Sequence, residues 1–270
     1  MRRLDRDRYL TALLAPASRR EDLFTIYALN AELSRVPESV REPLVGRIRL
    51  QWWREGIAAA LRGEAPRHPV LAALAEAARR HALPWEPLER LVETREEDLE
   101  PGPPPTMTAL LAYADGTAAA VMSLALAVLG AGPDAEAVVR AGRALGQAWA
   151  LVGLLRALPF HARLRRRLYL PTELLARHSI RQRDVLELRP SAALARAVEE
   201  VAGTARTRLA EARAVTVPRP LLSPFLLAPL AEQHLGRLAR AGYDVFDPRV
   251  AAAPPGRLWR LLPWAWSGRF

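Results

Sequence analysis

The chain has no cysteine, which removes disulfides, thiolate metal sites and cysteine nucleophiles together and fits a reducing compartment. Lysine is missing as well, so the net charge of +10 is carried by guanidinium groups alone. With so much alanine and proline, a GC-rich genome is the plainest cause. Long uninterrupted apolar runs are also absent. The two most apolar stretches, 109–130 and 144–160, are broken by Asp115 and Gly116 in the first and by Arg156 in the second, which predicts buried helices. Alternating β-branched runs are lacking, which excludes a sheet protein. No Gly/Ser-rich or like-charged linker divides the chain, so the expectation is one domain over 1–270, with 253–270 as a tail. Zinc-finger spacing, an aromatic RNA-binding signature and an isolated basic arm are all missing, which argues against nucleic acid as a partner. A basic surface then points to anionic lipid or acidic protein. Residues 1–8 mix acids with bases and lead into no apolar run, so they read as neither a signal nor a transit peptide, and the protein is expected to stay in the cytoplasm.

What is present is a chain of 270 residues, half of them hydrophobic, enough for a sizeable core. Apolar residues recur at helical spacing nearly throughout, and the fold class is all-α, a bundle of helices. The spacing predicts helices over 6–14, 19–36, 42–62, 69–81, 85–99, 106–129, 134–158, 192–215 and 221–240, with shorter pieces between. Ser18 is a candidate cap for the second, Thr106 begins a long helix after the prolines of 101–105, Gly130 closes it, and Asp134 is a candidate cap for the next.

Five ordered blocks carry a resemblance. Phe24-Thr25-Ile26-Tyr27-Ala28-Leu29-Asn30 resembles the Tyr-Ala-rich opening helix of the squalene and phytoene synthases, and Arg49-Leu50-Gln51-Trp52-Trp53-Arg54 resembles their Trp-Trp helix. Tyr113-Ala114-Asp115-Gly116-Thr117-Ala118 is similar to their Tyr-Ala-x-Gly-Thr-Ala segment. Gly146-Gln147 with Leu154-Leu155-Arg156 resembles the helix of the second aspartate motif, and Arg167-Leu168-Tyr169-Leu170-Pro171 the segment after it. The resemblance spans about residues 8 to 245. It implies an isoprenoid-synthase-type bundle around a central cavity, where two aspartate motifs hold magnesium ions that neutralise a prenyl diphosphate as it ionises.

Measured against that family, the aspartate positions are altered. The first motif falls on Ser34, Arg35 and Glu38, and one carboxylate survives. The second falls on Ala157 and His161, and none survives. Arg35 in one motif, and His161, Arg163, Arg165, Arg166 and Arg167 at the other, are expected to repel magnesium; they read either as guanidinium groups for an anion, with His161 as a ligand-binding or proton-handling group, or, the favoured account of the arginines, as a solvated loop. The pattern is similar to a non-catalytic branch of the family containing a respiratory complex I assembly factor and its bacterial relatives. Asn30-Ala31-Glu32-Leu33, Arg156 to His161 and Gly242-Tyr243-Asp244-Val245-Phe246 carry that likeness. It implies no catalytic residue and no cofactor, complex I subunits or assembly intermediates as partners, an isoprenoid or anionic lipid in the cavity, and a peripheral place on the inner face of the cytoplasmic membrane, or on the matrix side in a eukaryote. The alternative is an active magnesium-dependent prenyltransferase using Glu38 and relocated acids. By the resemblance Tyr27, Arg35, Gln147, Arg156, His161 and Tyr169 are cavity or ligand-binding candidates. A leftover buried polar network accounts equally well for Tyr27, Gln147, Arg156 and Tyr169.

Other features keep two readings. Trp52 and Trp53 could line a prenyl pocket, but adjacent tryptophans on a helix cannot face the same way, which favours ordinary core packing for at least one of them. The acids Glu93, Glu96, Glu97, Asp98 and Glu100 read as a solvated face, paired with arginines such as Arg90 and Arg95, rather than as a metal site. His68, His81, His178 and His234 are too dispersed for a metal signature. The tail 258–270, with three tryptophans among leucines and arginines, suits either a lipid headgroup boundary or packing on the bundle.

Overall fold

The computed structural model describes residues 4–64, 67–100, 102–165, 168–251, 256–268 and 270. Among these every regular element is helical: α1 (Arg6–Leu13), α2 (Arg20–Arg35), α3 (Pro43–Leu61), α4 (Pro69–Arg80), α5 (Trp85–Glu97), α6 (Met107–Ala114), α7 (Ala120–Leu129), α8 (Glu136–Phe160), α9 (Thr172–Arg177), α10 (Gln182–Leu186), α11 (Ala192–Arg213), α12 (Leu227–Arg240), α13 (Pro248–Ala251) and α14 (Arg257–Ser267). Helix is present in each of the nine stretches legible in the spacing, although the one expected over 221–240 opens with the tight turns Arg219–Leu221 and Ser223–Leu226 and becomes α12 only at Leu227.

Three further details differ from the sequence reading. The chain approaches α2 through a tight turn, Ala17–Arg19, so Arg19 and not Ser18 precedes the helix, and no side chain caps it. Asp134 lies in a similar turn, Pro133–Ala135, and does not cap α8. The stretch read as one helix over 106–129 contains a wide π turn, Asp115–Ala119, between α6 and α7. Thr106 does cap α6, its hydroxyl accepting from the Ala109 amide, and Gly130 ends α7 at φ +90°.

The longest helix, α8, is the axis of the bundle. Its buried face, including Val138, Ala141, Leu145, Ala148, Trp149 and Val152, packs most extensively against α11. There Leu194, Ala197, Val198, Val201, Ala202, Ala205, Leu209 and Ala212 follow the three-and-four spacing of one stripe, and four alanines let the two backbones come close. On its other side α8 crosses the π turn at Gly146. A Cβ there would stand 2.7 Å from the Ala119 nitrogen and 2.9 Å from the Ala118 oxygen, so only glycine fits. The run Met107–Leu129 is apolar and long enough to cross a membrane by length and composition, but 72% of its most apolar window is buried inside the protein.

A buried polar tie joins α2 to the end of α4. The Asp22 carboxylate accepts from Arg80 Nη2 at 2.6 Å and from His81 Nε2 at 2.8 Å, while Arg19 Nη1 donates to His81 Nδ1 at 2.7 Å. Arginine can only donate, so Nδ1 is the acceptor and Nε2 the donor of this ring. Burial alone would raise the Asp22 carboxyl, but the bonds from Arg80 and His81 outweigh it and hold it below the ordinary carboxylate value.

Candidate functional site

A cavity of about 530 Å³ opens between the end of α2, the start of α3, the end of α5 and the segment after α8. Its polar floor is built by residues far apart in the chain. Asp98 follows the last turn of α5, and Arg95 three residues earlier reaches it at 3.0 Å. Tyr113 on α6 donates to the same Asp98 oxygen, Oδ2, at 3.1 Å and itself accepts from Arg95 Nη1 at 2.9 Å. Tyr169 donates to Asp98 Oδ1 at 2.9 Å, and the two tyrosine rings lie 5.3 Å apart.

Local backbone places Tyr169. The proline-rich loop before α6 offers the Pro104 and Pro105 carbonyls to the amides of Thr172 and Glu173, and the Glu173 carboxylate accepts from the Met107 amide at 2.7 Å. Loop 102–106 is thereby fastened to the start of α9, three residues beyond Tyr169.

The electrostatics follow from burial. The Asp98 and Arg95 side chains are only 7% and 12% exposed, so each charge depends on the other. Burial works against the Arg95 charge, but neighbouring Tyr113 and Asp98 raise its guanidinium above the ordinary value. Burial likewise pushes the Tyr113 phenol well up, with Arg95 opposing. Both groups therefore keep their protons throughout the ordinary pH range.

Ser34, Glu38 and His161, three of the positions at which the resemblance sets the aspartate motifs, all line this cavity, together with Tyr169. The His161 ring meets Tyr169 edge-on at 5.1 Å. Ala157 is half-buried one turn before His161, and Arg156 is half-buried two residues beyond Leu154, which forms part of the wall. Other candidates lie elsewhere. Tyr27 is buried in the core under Arg8 and does not reach the cavity. Gln147 is buried on α8 and donates weakly, at 3.3 Å, to Asp115, which Arg143 also holds through Nη2 at 2.6 Å. Arg35 points away: its side chain is 60% exposed, lies 3.7 Å from Glu32, and lines a separate surface pocket with Arg49, Trp52, Trp53 and His68. Arg163 is exposed beside Gln182 and Glu187.

The crowd of guanidinium groups expected at the cavity is therefore not what its described walls present. Arg95 is the arginine there, among Glu38, Asp98 and Glu100; the side chains of Arg165, Arg166 and Arg167 fall outside the described residues. The acid-rich segment is likewise split. Glu93 and Glu97 are exposed, Glu96 pairs with Arg54 and Glu100 with Arg47, while Asp98 turns inward. Sequence reasoning missed Asp98, Arg95 and Tyr113 as one unit; the Arg95/Asp98 spacing and the Tyr113 block were the available signals. Among the described residues no group of three or more His, Cys, Asp or Glu side chains is placed to hold a metal ion.

Comparison with known proteins accords with this architecture. A family model described as squalene/phytoene synthase matches residues 1–256. The chain is 31% identical over 252 residues to the NADH dehydrogenase (ubiquinone) complex I assembly factor 6 of Homo sapiens, covering 93% of this chain and 75% of that protein. It is 32% identical over 177 residues to presqualene diphosphate synthase of Rhodopseudomonas palustris, covering 65% of this chain and 62% of that one. A crystal structure of a dehydrosqualene synthase in complex with a ligand superposes with a TM-score of 0.85 over 98% of this chain and 92% of that one, at 19% identity, a likeness of fold. With the five sequence blocks, the helical bundle and its cavity all in agreement, the chain belongs to the squalene/phytoene synthase family.

Proposed function

We propose that this protein is a non-catalytic member of its family that serves respiratory complex I assembly from the membrane surface, with its cavity holding an isoprenoid or another lipid. The observation that carries this reading is the state of Asp98. Its two oxygens already accept from Arg95, Tyr113 and Tyr169, so the buried carboxylate of the cavity is committed to neutralising an arginine. Magnesium prefers several oxygens in near-octahedral array. Around this cavity the family aspartate positions carry Ser34, Ala157 and His161, with Glu38 alone acidic, and the two other acids of the lining are engaged, Asp98 as above and Glu100 by Arg47. Such a donor set does not fit a cluster of divalent cations. The 31% identity to complex I assembly factors over nearly the whole chain supports the assembly role, and complex I subunits or assembly intermediates are the proposed partners.

What remains chemically useful is shape. Pro37, Pro43, Leu99, Leu154 and the tyrosine rings give apolar walls, and the hydroxyls and Arg95 give a polar end, a combination that suits an amphiphile with a long hydrocarbon part. For membrane contact, α14 offers Trp259, Leu262 and Trp266 on one exposed side. The proposed location is the inner face of the cytoplasmic membrane, or the matrix face in a eukaryote.

The likeness to presqualene diphosphate synthase favours one competing reading, a working prenyltransferase. Incubating the purified protein with farnesyl or geranylgeranyl diphosphate and magnesium separates the two. No diphosphate release above a boiled control is expected; release would establish catalysis and end the non-catalytic reading. Loss of the gene is expected to lower assembled complex I, and unchanged complex I abundance would remove the assembly role.

A further inference from the structure

The helix α3 is apolar on two sides, and one of them faces solvent. Its inner stripe, Leu50, Trp53, Ile57 and Ala60, packs into the core. On the opposite side Leu44 and Ile48 are each 63% exposed, Trp52 is 50% exposed and Val45 is also open. Positions 44, 48 and 52 stack one turn apart, so these side chains form a continuous strip that ends where Gln51 and Glu55 begin. Trp52 rests partly on the core ring of Trp53, but among the described residues no core contact accounts for Leu44, Val45 and Ile48, and contiguous exposed apolar surface of this kind marks an interaction site.

Charge and position say what covers it. Arg49 stands on the flank of the strip, with its Nη1 on the Ser39 hydroxyl at 2.8 Å, and Arg41 lies exposed just before the helix. Neither is within ion-pair distance of a carboxylate among the described residues. A pocket of about 350 Å³ beside Trp52 brings Arg49 together with Arg35, whose contact with Glu32 is long at 3.7 Å. The turn Pro37–Ser39 forms the wall between the two hollows: Val36 and Ser39 line this pocket, while Pro37 and Glu38 line the cavity, as does Pro43 at the first turn of α3. An apolar strip with a half-exposed tryptophan and flanking arginines is the pattern of a helix lying in the headgroup boundary.

We infer that the outer face of α3 docks on an anionic phospholipid bilayer, with Arg35 and Arg49 holding a lipid phosphate, so that the cavity mouth opens at the membrane. This rests on the membrane-associated reading above and adds the surface that makes the contact. The test is co-sedimentation of the full chain with vesicles of phosphatidylcholine and phosphatidylglycerol, against phosphatidylcholine alone. Leu44→Gln/Ile48→Gln/Trp52→Gln is expected to weaken partitioning by tenfold or more, on the order of what burying one such side chain contributes. Arg35→Gln/Arg49→Gln is expected to abolish the preference for the anionic vesicles.

Trp52 touches Trp53 and His68, so Leu44→Gln/Ile48→Gln, which leaves those rings alone, carries the test if the triple variant does not fold. Partitioning of these variants equal to wild type would overturn the inference while leaving a membrane role to α14. Wild type that sediments with neither vesicle would overturn both. A wild-type dimer that the variants convert to monomer would assign the face to a second copy of the chain and equally overturn it.

Discussion

At the scale of single residues, Asp98 and Arg95 are the most consequential pair. Each is buried and each satisfies the other, so removing one leaves a charge in low dielectric. Asp98→Ala is expected to cost about 3–5 kcal/mol in denaturant unfolding. Arg95→Met/Asp98→Leu is expected to cost clearly less than the two single changes summed; additive losses would show that the pair is not coupled. Asp22 makes a prediction in pH. Its folded-state carboxyl sits below the unfolded value of about 3.9, so its contribution is present above that value and disappears as pH falls through the lower, folded one. Asp22→Asn should therefore lose roughly 2–4 kcal/mol at neutral pH and show a flatter decline in acid. A mutant curve parallel to wild type through the acid range would contradict this.

At the scale of elements, Gly146 fixes how closely α8 crosses the π turn. Because the atoms in the way are backbone, Gly146→Ala is expected to destabilise by about 2 kcal/mol or more, read as a lowered Tm. In the tail, α14 uses both of its sides. Leu261 is fully buried, Phe270 packs on Phe225 at 4.8 Å, and the Trp264 ring lies under Arg213 at 5.3 Å, while Trp259 and Trp266 are 76% and 85% exposed. Deleting 257–270 should lower Tm, whereas Trp259→Ser/Trp266→Ser should leave it near wild type, so the double variant is the cleaner probe of this helix at a vesicle.

The two uses of α14 also show where sequence runs out. Periodicity marks the long helices because the alternation of Leu, Ala and Val with Arg and Glu repeats over many turns, as on α11. It does not mark α9, α10 or α13, which are too short to repeat, nor the π turn, whose extra residue leaves the apolar pattern intact. That Ser34, Glu38 and His161 share one cavity could be expected because the family blocks give a register. Arg35 went astray because register fixes a position and not the direction of a side chain. Asp98 was hidden among surface acids because only its tertiary partners, Tyr113 and Tyr169, distinguish it.

For the molecule as a whole, the absence of lysine and cysteine predicts an unusual titration. Between about pH 8 and about pH 10, where most proteins shed ammonium and thiol protons, this one has arginines that stay charged and tyrosines at 27 and 113 that burial pushes up. Electrophoretic mobility should stay cathodic across that interval, in line with a sequence pI of about 11.1, and a reversal of sign within it would contradict the prediction.

The floor of the cavity also sets an order of events during synthesis. Asp98 and Tyr113 leave the ribosome long before Tyr169 and the amides of Thr172 and Glu173, and α8 must wait for α11. A nascent chain halted near residue 160 therefore carries a half-satisfied acid and an uncovered helix, a form that chaperones would bind and proteases would find.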